Sequence, residues 1–226
     1  MNRKRSISVV AAAIWLMIGA LAAAPQEVLI VALGDSTTAG TPFFLSPLES
    51  PPEGRGDPEG QYTYWMMRRR PDWTVINDGI DGQRSDEIRA RFDESVKPGP
   101  RYVIILAGVN DVFHGVPLSY PEQNLLWMYQ QAKAKMMIPI AATVLPFNLS
   151  TPKQAEDIRN LNTWIRKAAD KEHIPLAELN QAVADPKNPD RLNGSPDGLH
   201  PDIGGYRKMG VVLTQVIDEM EAARPH

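Results

Sequence analysis

The chain has 226 residues, of which 43% are hydrophobic and 23% charged, with a formal net charge of -3. This composition describes a globular protein with room for one domain and a real core, and it excludes the disordered and fibrous classes. The absence of cysteine excludes a disulfide framework, a thiolate nucleophile and a cysteine-based zinc site, and leaves the redox compartment unmarked.

The first residues carry a targeting pattern. Arg3, Lys4 and Arg5 precede an apolar run from Ile7 to Ala24 that closes on Ala22, Ala23 and Ala24. A basic start, an apolar middle and small residues at the end form the layout of a secretory signal over residues 1–24, leaving a domain over 25–226. The alternative is an uncleaved N-terminal anchor, because about 18 apolar residues is the lower limit for spanning a bilayer. Either way the domain is expected outside the cytoplasm, periplasmic or secreted, with membrane contact only through this segment. No cysteine follows the run, so a lipoprotein anchor is excluded. Without residues 1–24 the balance is 21 Lys+Arg against 27 Asp+Glu, a net of -6. That argues against a nucleic-acid partner, which calls for a basic stripe.

Residues 27–33 read as a strand, apolar without a break from Val28 on, as in a strand buried on both faces of a parallel sheet. Residues 41–60 are rich in proline and glycine and read as a long loop over one rim, either flanking a site or a plain surface excursion. A helix is expected over 62–70, where Arg68, Arg69 and Arg70 make its polar end before Pro71. A short strand follows at 73–77, a turn at 78–82 and a helix at 85–95. A third strand covers 101–106, and 107–115 reads as a loop. Residues 121–136 are helical, 137–143 a fourth strand and 146–152 a loop. A long amphipathic helix covers 153–172, a fifth strand 173–176 and a short helix 177–184. A polar loop over 185–202 precedes the closing helix, 203–223. Five alternations of strand and helix mean right-handed crossovers and a mostly parallel sheet with helices on both faces. Ligands of such sheets bind beyond the carboxyl ends of the strands.

Polar stations gather at those ends: Gly34-Asp35-Ser36, the Gly79–Gly82 turn, Gly108-Val109-Asn110-Asp111, and Asp197-Gly198-Leu199-His200 before the last helix. Ester hydrolysis needs a nucleophile, a base, a group that orients the base, and donors for the oxyanion. Ser36 can be the nucleophile. His226 is terminal and His173 sits at a helix–strand junction, whereas His200 follows Asp197 by three residues in a tight loop. At that spacing the Asp197 carboxylate can meet the far ring nitrogen and set the tautomer. His200 is therefore the base by elimination and position. The backbone N–H groups of Ser36 and Gly82 and the side-chain amide of Asn110 suit the oxyanion. Each motif alone has a plainer reading, since Asp and Ser are default helix caps and Asn-Asp a common turn. Their joint order and placement do not.

These blocks resemble the GDSL or SGNH hydrolases over the whole chain after the leader. G-D-S at 34–36 is similar to that family's nucleophile block, N-D-G-I-D-G at 77–82 to its glycine block, G-V-N-D at 108–111 to its G-x-N-D block with Gly108 in support, and D-G-L-H at 197–200 to its D-x-x-H block. The resemblance implies a three-layer α/β/α, flavodoxin-like fold. It also implies hydrolysis of esters or thioesters through an acyl-enzyme, without metal or cofactor, on a small ester, lipid or acylated glycan. The G-x-S-x-G elbow of α/β-hydrolases is absent. The first block continues T-T-A-G where the family often has Leu or Ile. Asp35 is expected to organise the turn rather than react, and Asp111 and His114 to cap a loop. Rival readings are a metal-assisted hydrolase using Asp35, Asp111, Asp197 and His200, an acyltransferase, and a glycan-binding protein without turnover that presents Tyr62, Tyr64, Trp65 and Trp73 as a platform.

Overall fold

The computed structural model describes residues 28–224. The N-terminal segment read as a signal or anchor lies outside them, as does His226. Among the described residues no helix is long and apolar enough to cross a membrane.

Five strands make one parallel sheet: β1 (Val28–Gly34), β2 (Trp73–Gly79), β3 (Tyr102–Leu106), β4 (Ile138–Ala142) and β5 (Leu176–Ala177). Their order across the sheet is β2-β1-β3-β4-β5, so the chain moves one way from β1 to β2 and the other way from β3 onward. The switch falls between β1 and β3, where open α/β sheets leave a crevice. The helices are α1 (Ser36–Ala39), α2 (Tyr62–Arg69), α3 (Ser85–Ala90), α4 (Phe92–Ser95), α5 (Val109–Phe113), α6 (Ser119–Ala134), α7 (Pro152–Glu172), α8 (Leu179–Val183) and α9 (Ile203–Ala222). Helices α2 and α9 pack together on one face, while α3, α6 and α7 pack in sequence on the other. This is the three-layer α/β/α, flavodoxin-like architecture that the family resemblance implies, and the parallel sheet with helices on both faces that the strand–helix alternation predicts.

The core explains the uniform apolar strands. Ile30, Val31, Ala32 and Leu33 of β1 and Val103, Ile104 and Ile105 of β3 have no exposed surface. Covered on both faces, each large side chain contributes about 1.5–3 kcal/mol of hydrophobic stabilisation. The strand ends bear on the site, and β1 stops at Gly34 for a steric reason. A Cβ there would lie 2.1 Å from Thr38 Oγ1 and 2.6 Å from the Leu106 carbonyl oxygen.

Several boundaries differ from the sequence reading. β2 runs on to Gly79, because Asn77 and Asp78 are buried and bonded rather than solvated. Asn77 Nδ2 donates to the Ala39 carbonyl at 3.0 Å and to Gln61 Oε1 at 2.8 Å, and Asp78 pairs with Arg91. The helix over 85–95 breaks at Arg91, whose φ of -100° and ψ of 4° leave the helical region. Residues 41–60 contain a small antiparallel pair, Phe44–Leu45 with Arg55–Gly56, and a 3-10 turn at Pro58–Gly60. Residues 107–115 contain α5, and 185–202 contain the strand Asn188–Leu192 paired with Ala184–Asp185. The fifth strand starts at Leu176 rather than His173, because His173 closes α7 in the left-handed region at φ 53°. The aromatic platform does not form. Tyr62 and Trp73 are buried, and Trp65 is covered by the Arg207 guanidinium 5.2 Å from its ring centre.

Candidate active site

The turn after β1 holds a helix cap and, beside it, a hydroxyl directed at a histidine. Asp35 is the N-cap of α1, its Oδ1 accepting from the Thr37 amide at 3.0 Å. Ser36, next in the chain, directs its hydroxyl to His200, with Oγ 2.9 Å from Nε2. The other ring nitrogen, Nδ1, lies 2.7 Å from Asp197 Oδ2. Burial pushes the Asp197 carboxyl upward. Hydrogen bonds from the His200 ring and from the His200 and Leu199 amides outweigh this and hold it below the usual carboxylate value. An ionised carboxylate only accepts, so Nδ1 carries the proton and Nε2 is left to accept from the Ser36 hydroxyl. Ser36, His200 and Asp197 thus form one directed chain of hydrogen bonds.

A short loop fixes the base. The Leu199 and His200 amides donate to Asp197 Oδ1 at 2.9 and 2.8 Å. Ser195 Oγ accepts from the Gly198 amide at 2.9 Å and donates to the His200 carbonyl at 2.7 Å. From outside, the Asn148 amide donates to the Gly198 carbonyl at 2.7 Å. Gly198 takes φ 79°, which a side chain would resist.

Of the donors expected for an oxyanion, Asn110 lines the same cavity as Ser36, and Gly82 follows Asp81, which lines it too. Among the described residues, neither the Ser36 nor the Gly82 N–H has an internal hydrogen-bond acceptor. Asn110 sits on α5, following Gly108 at φ 117°, rather than in an irregular loop. Its Nδ2 donates to the Gln83 carbonyl at 2.9 Å, so one of its two amide protons stays free. Gly82 has φ 73° and nothing within 4 Å of a built Cβ, so glycine is needed there for its conformation rather than for space.

Other polar groups near the site are structural. Asp111 accepts from the Ser85 amide and hydroxyl, both at 2.8 Å, which satisfies the first turn of α3. His114 ends α5 with its ring against Phe113. Asp35 is 1% exposed and its Oδ2 has no partner, so burial pushes its carboxyl up to about 6, against the pull of the Thr37 amide and of His200. Among the described residues no group of three or more His, Cys, Asp or Glu side chains comes together as a metal site. The four residues of the metal-assisted reading are therefore spread among separate tasks.

Arg91, within the segment expected to be helical over 85–95, places its guanidinium beneath the site. It pairs with Asp78 and donates to the Gly34 and Asp78 carbonyls at 2.8 and 2.9 Å, tying the ends of β1 and β2 together. Glu49 and Ser46, in the proline-rich segment, also reach this rim. The sequence carries no signal for these reaches, because the groups they meet at the ends of β1 and β2 and at Asp81 lie 13 to 57 positions away.

A cavity of about 110 Å³ opens beside Ser36 and His200. Its apolar wall is Val109, Phe113, Leu145, Phe147 and Leu199, with Asp81 and Asn110 on the polar side. A larger cavity of about 260 Å³ lies across the Phe147 ring, between α7 and the Asn188–Leu192 strand, and holds no nucleophile–base pair.

A parallel flavodoxin-like sheet with a serine, a histidine and an aspartate chained at its carboxyl rim has the architecture of SGNH-type hydrolases. The model of the GDSL-like lipase/acylhydrolase family matches residues 32–208, and the chain belongs to that family. That family is described as GDSL-like lipases and acylhydrolases. Among solved structures, a lipolytic protein of the G-D-S-L family from Desulfitobacterium hafniense is 28% identical with a TM-score of 0.70, over 84% of this chain and 99% of that one. A GDSL-like lipase from Bacteroides thetaiotaomicron is 25% identical with a TM-score of 0.65, over 86% and 90%. A Bacillus subtilis protein named uncharacterized lipoprotein YqeF is 27% identical over 126 residues, 52% of this chain. The match spans only 48% of that curated relative's length.

Proposed function

We propose that residues 25–226 form a serine ester hydrolase domain that acts outside the cytoplasm and cleaves short-chain carboxylic esters through an acyl-enzyme on Ser36. The observation that carries this reading is the unbroken chain Ser36 Oγ, His200 Nε2, His200 Nδ1, Asp197 Oδ2, at 2.9 and 2.7 Å. His200 takes the Ser36 proton as Oγ attacks the acyl carbonyl. Asp197 orients the ring and stabilises the imidazolium. The Ser36 and Gly82 amides and the free Asn110 amide proton receive the negative charge that develops on the carbonyl oxygen. His200 then protonates the departing alcohol, and a water repeats the sequence on the acyl-enzyme.

The size of the cavity supports a small acyl group. Pockets for drug-sized ligands run to about 300–1,000 Å³, against about 110 Å³ here. The apolar wall suits a methyl or short alkyl chain and offers no partner for a charged acyl group. The basic-then-apolar start of the sequence supports export through residues 1–24, as a cleaved signal or an anchor. The curated relative is named a lipoprotein, but this sequence has no cysteine to carry a lipid.

The test is turnover of p-nitrophenyl esters from acetate to octanoate, beside Ser36→Ala and with a serine-directed phosphonate. Rates should fall with chain length, and Ser36→Ala should lose about 10³-fold or more. The phosphonate should add one mass to Ser36. Full activity in Ser36→Ala would sink the reading.

A further inference from the structure

Gly82 is exposed and nothing packs where its side chain would be. Packing therefore does not fix the position of its N–H, so the bonds on either side of it must. On the C-terminal side, the Gln83 carbonyl accepts from Asn110 Nδ2 at 2.9 Å. On the N-terminal side, the Asp81 amide donates to Glu49 Oε1 at 2.7 Å. Glu49 is itself held, its Oε2 accepting from the Ser46 amide at 2.9 Å. Ser46 is fully buried, and its hydroxyl donates to the Gly79 carbonyl at 2.6 Å. Two residues of the proline-rich segment, three positions apart and hydrogen-bonded to each other, thus grip both ends of the Gly79–Asp81 stretch.

We propose that Glu49 is a positioning residue for the oxyanion site: through its bond to the Asp81 amide it holds the Asp81–Gly82 turn so that the Gly82 N–H meets the developing charge. This deepens the reading of the site given above and rests on it. Residues 41–60 then act as a brace on the catalytic rim. A carboxylate suits the task because each oxygen takes one backbone N–H, and bonds to a charged acceptor are about twice as strong as neutral ones. Glu49 touches neither substrate nor Ser36, so its effect should appear where charge develops and not where the ester binds.

The test compares Glu49→Ala, Glu49→Gln and wild type in p-nitrophenyl acetate turnover, inhibition by an alkylboronic acid, and thermal unfolding. The boronic acid forms a tetrahedral adduct on Ser36 that places an oxygen in the oxyanion site. Glu49→Ala should lose about ten-fold in kcat, the size of one charge-assisted hydrogen bond. KM should stay within about two-fold and boronate affinity should fall in parallel with kcat. Glu49→Gln keeps one acceptor oxygen and should recover most of both. Should Glu49→Ala fail to fold, Glu49→Gln and Ser46→Ala take its place, with the same parallel loss at reduced size.

A folded Glu49→Ala with unchanged kcat and boronate affinity overturns the proposal and leaves the serine hydrolase reading intact. So does a rise in KM alone. A wild-type protein that neither turns over esters nor accepts a phosphonate on Ser36 overturns both.

Discussion

The proposed nucleophile and its proposed base sit on opposite kinds of structure. Ser36 is 4% exposed, at the end of a strand with no exposed surface from Ile30 to Leu33, and its turn is closed by Asp35, Thr38, Arg91 and the Gly34 carbonyl. Asp197 and His200 sit on a surface loop whose geometry comes from hydrogen bonds among six consecutive residues. The packing that stabilises the whole domain therefore also places the serine. The histidine is placed by a local motif that contributes little to the core. Disturbing the first region should alter stability and activity together, and disturbing the second should alter activity alone.

The sharpest way to break this contrast is Asp197→Asn. The amide cannot hold the Nδ1–H tautomer as a carboxylate does, so turnover should drop by about 10³-fold or more. The melting temperature should stay within a few degrees, because the residue is exposed. A large fall in melting temperature would show the loop to be part of the stability core.

Gly34→Ala probes the other side. The new methyl would sit 2.1 Å from Thr38 Oγ1, which is itself bonded to the Tyr62 hydroxyl, and 2.6 Å from the backbone oxygen of Leu106. Backbone cannot yield as a flexible side chain can, so the change should destabilise by about 3 kcal/mol or more and lower turnover with it. Calorimetry beside ester turnover measures both; a stable variant with full activity contradicts the steric account of the strand end.

Asp35→Asn sharpens the comparison within the corner itself. The folded value of about 6 lies above the 3.8 of an unperturbed carboxyl, because burial disfavours the charge. The folded state therefore binds the proton more tightly, and stability is lost as pH rises from about 4 through 6. The effect is worth up to about 3 kcal/mol at neutral pH. Asparagine keeps an oxygen for the Thr37 amide and carries no charge. Its advantage in melting temperature over wild type should be small near pH 4 and widen towards pH 8. A constant difference across that range contradicts the burial account.

The sequence made the architecture and the Ser36–His200–Asp197 cluster legible for different reasons. Strands buried on both faces cannot tolerate polar residues, so β1 and β3 stand out as unbroken apolar runs. Asp197 and His200 were legible because their relation is local, three positions apart on a tight turn. Ser36 was legible by position, as the first hydroxyl beyond a buried strand. What stayed hidden depends on contacts across the fold. Asp78 looks like the start of a turn until Arg91 is seen to pair with it inside β2. Arg91 looks like one more residue on a helix. The 41–60 segment reads only as proline and glycine, and the reach of Glu49 to Asp81, 32 positions on, has no periodic signature.

The placement of Asp197 and His200 on one short turn has a mechanical consequence. Residues 195–200 hold one another, so the turn can shift as a rigid lever without disturbing the carboxylate–imidazole pair. Such a shift alters a single coordinate, the 2.9 Å separation between His200 Nε2 and Ser36 Oγ. The lever is pinned from outside at the Gly198 carbonyl, by the amide of Asn148. A displacement of residues 148 and 149, whose amides both reach the Gly198 carbonyl, would therefore be felt at the Ser36–His200 separation without contact to either side chain.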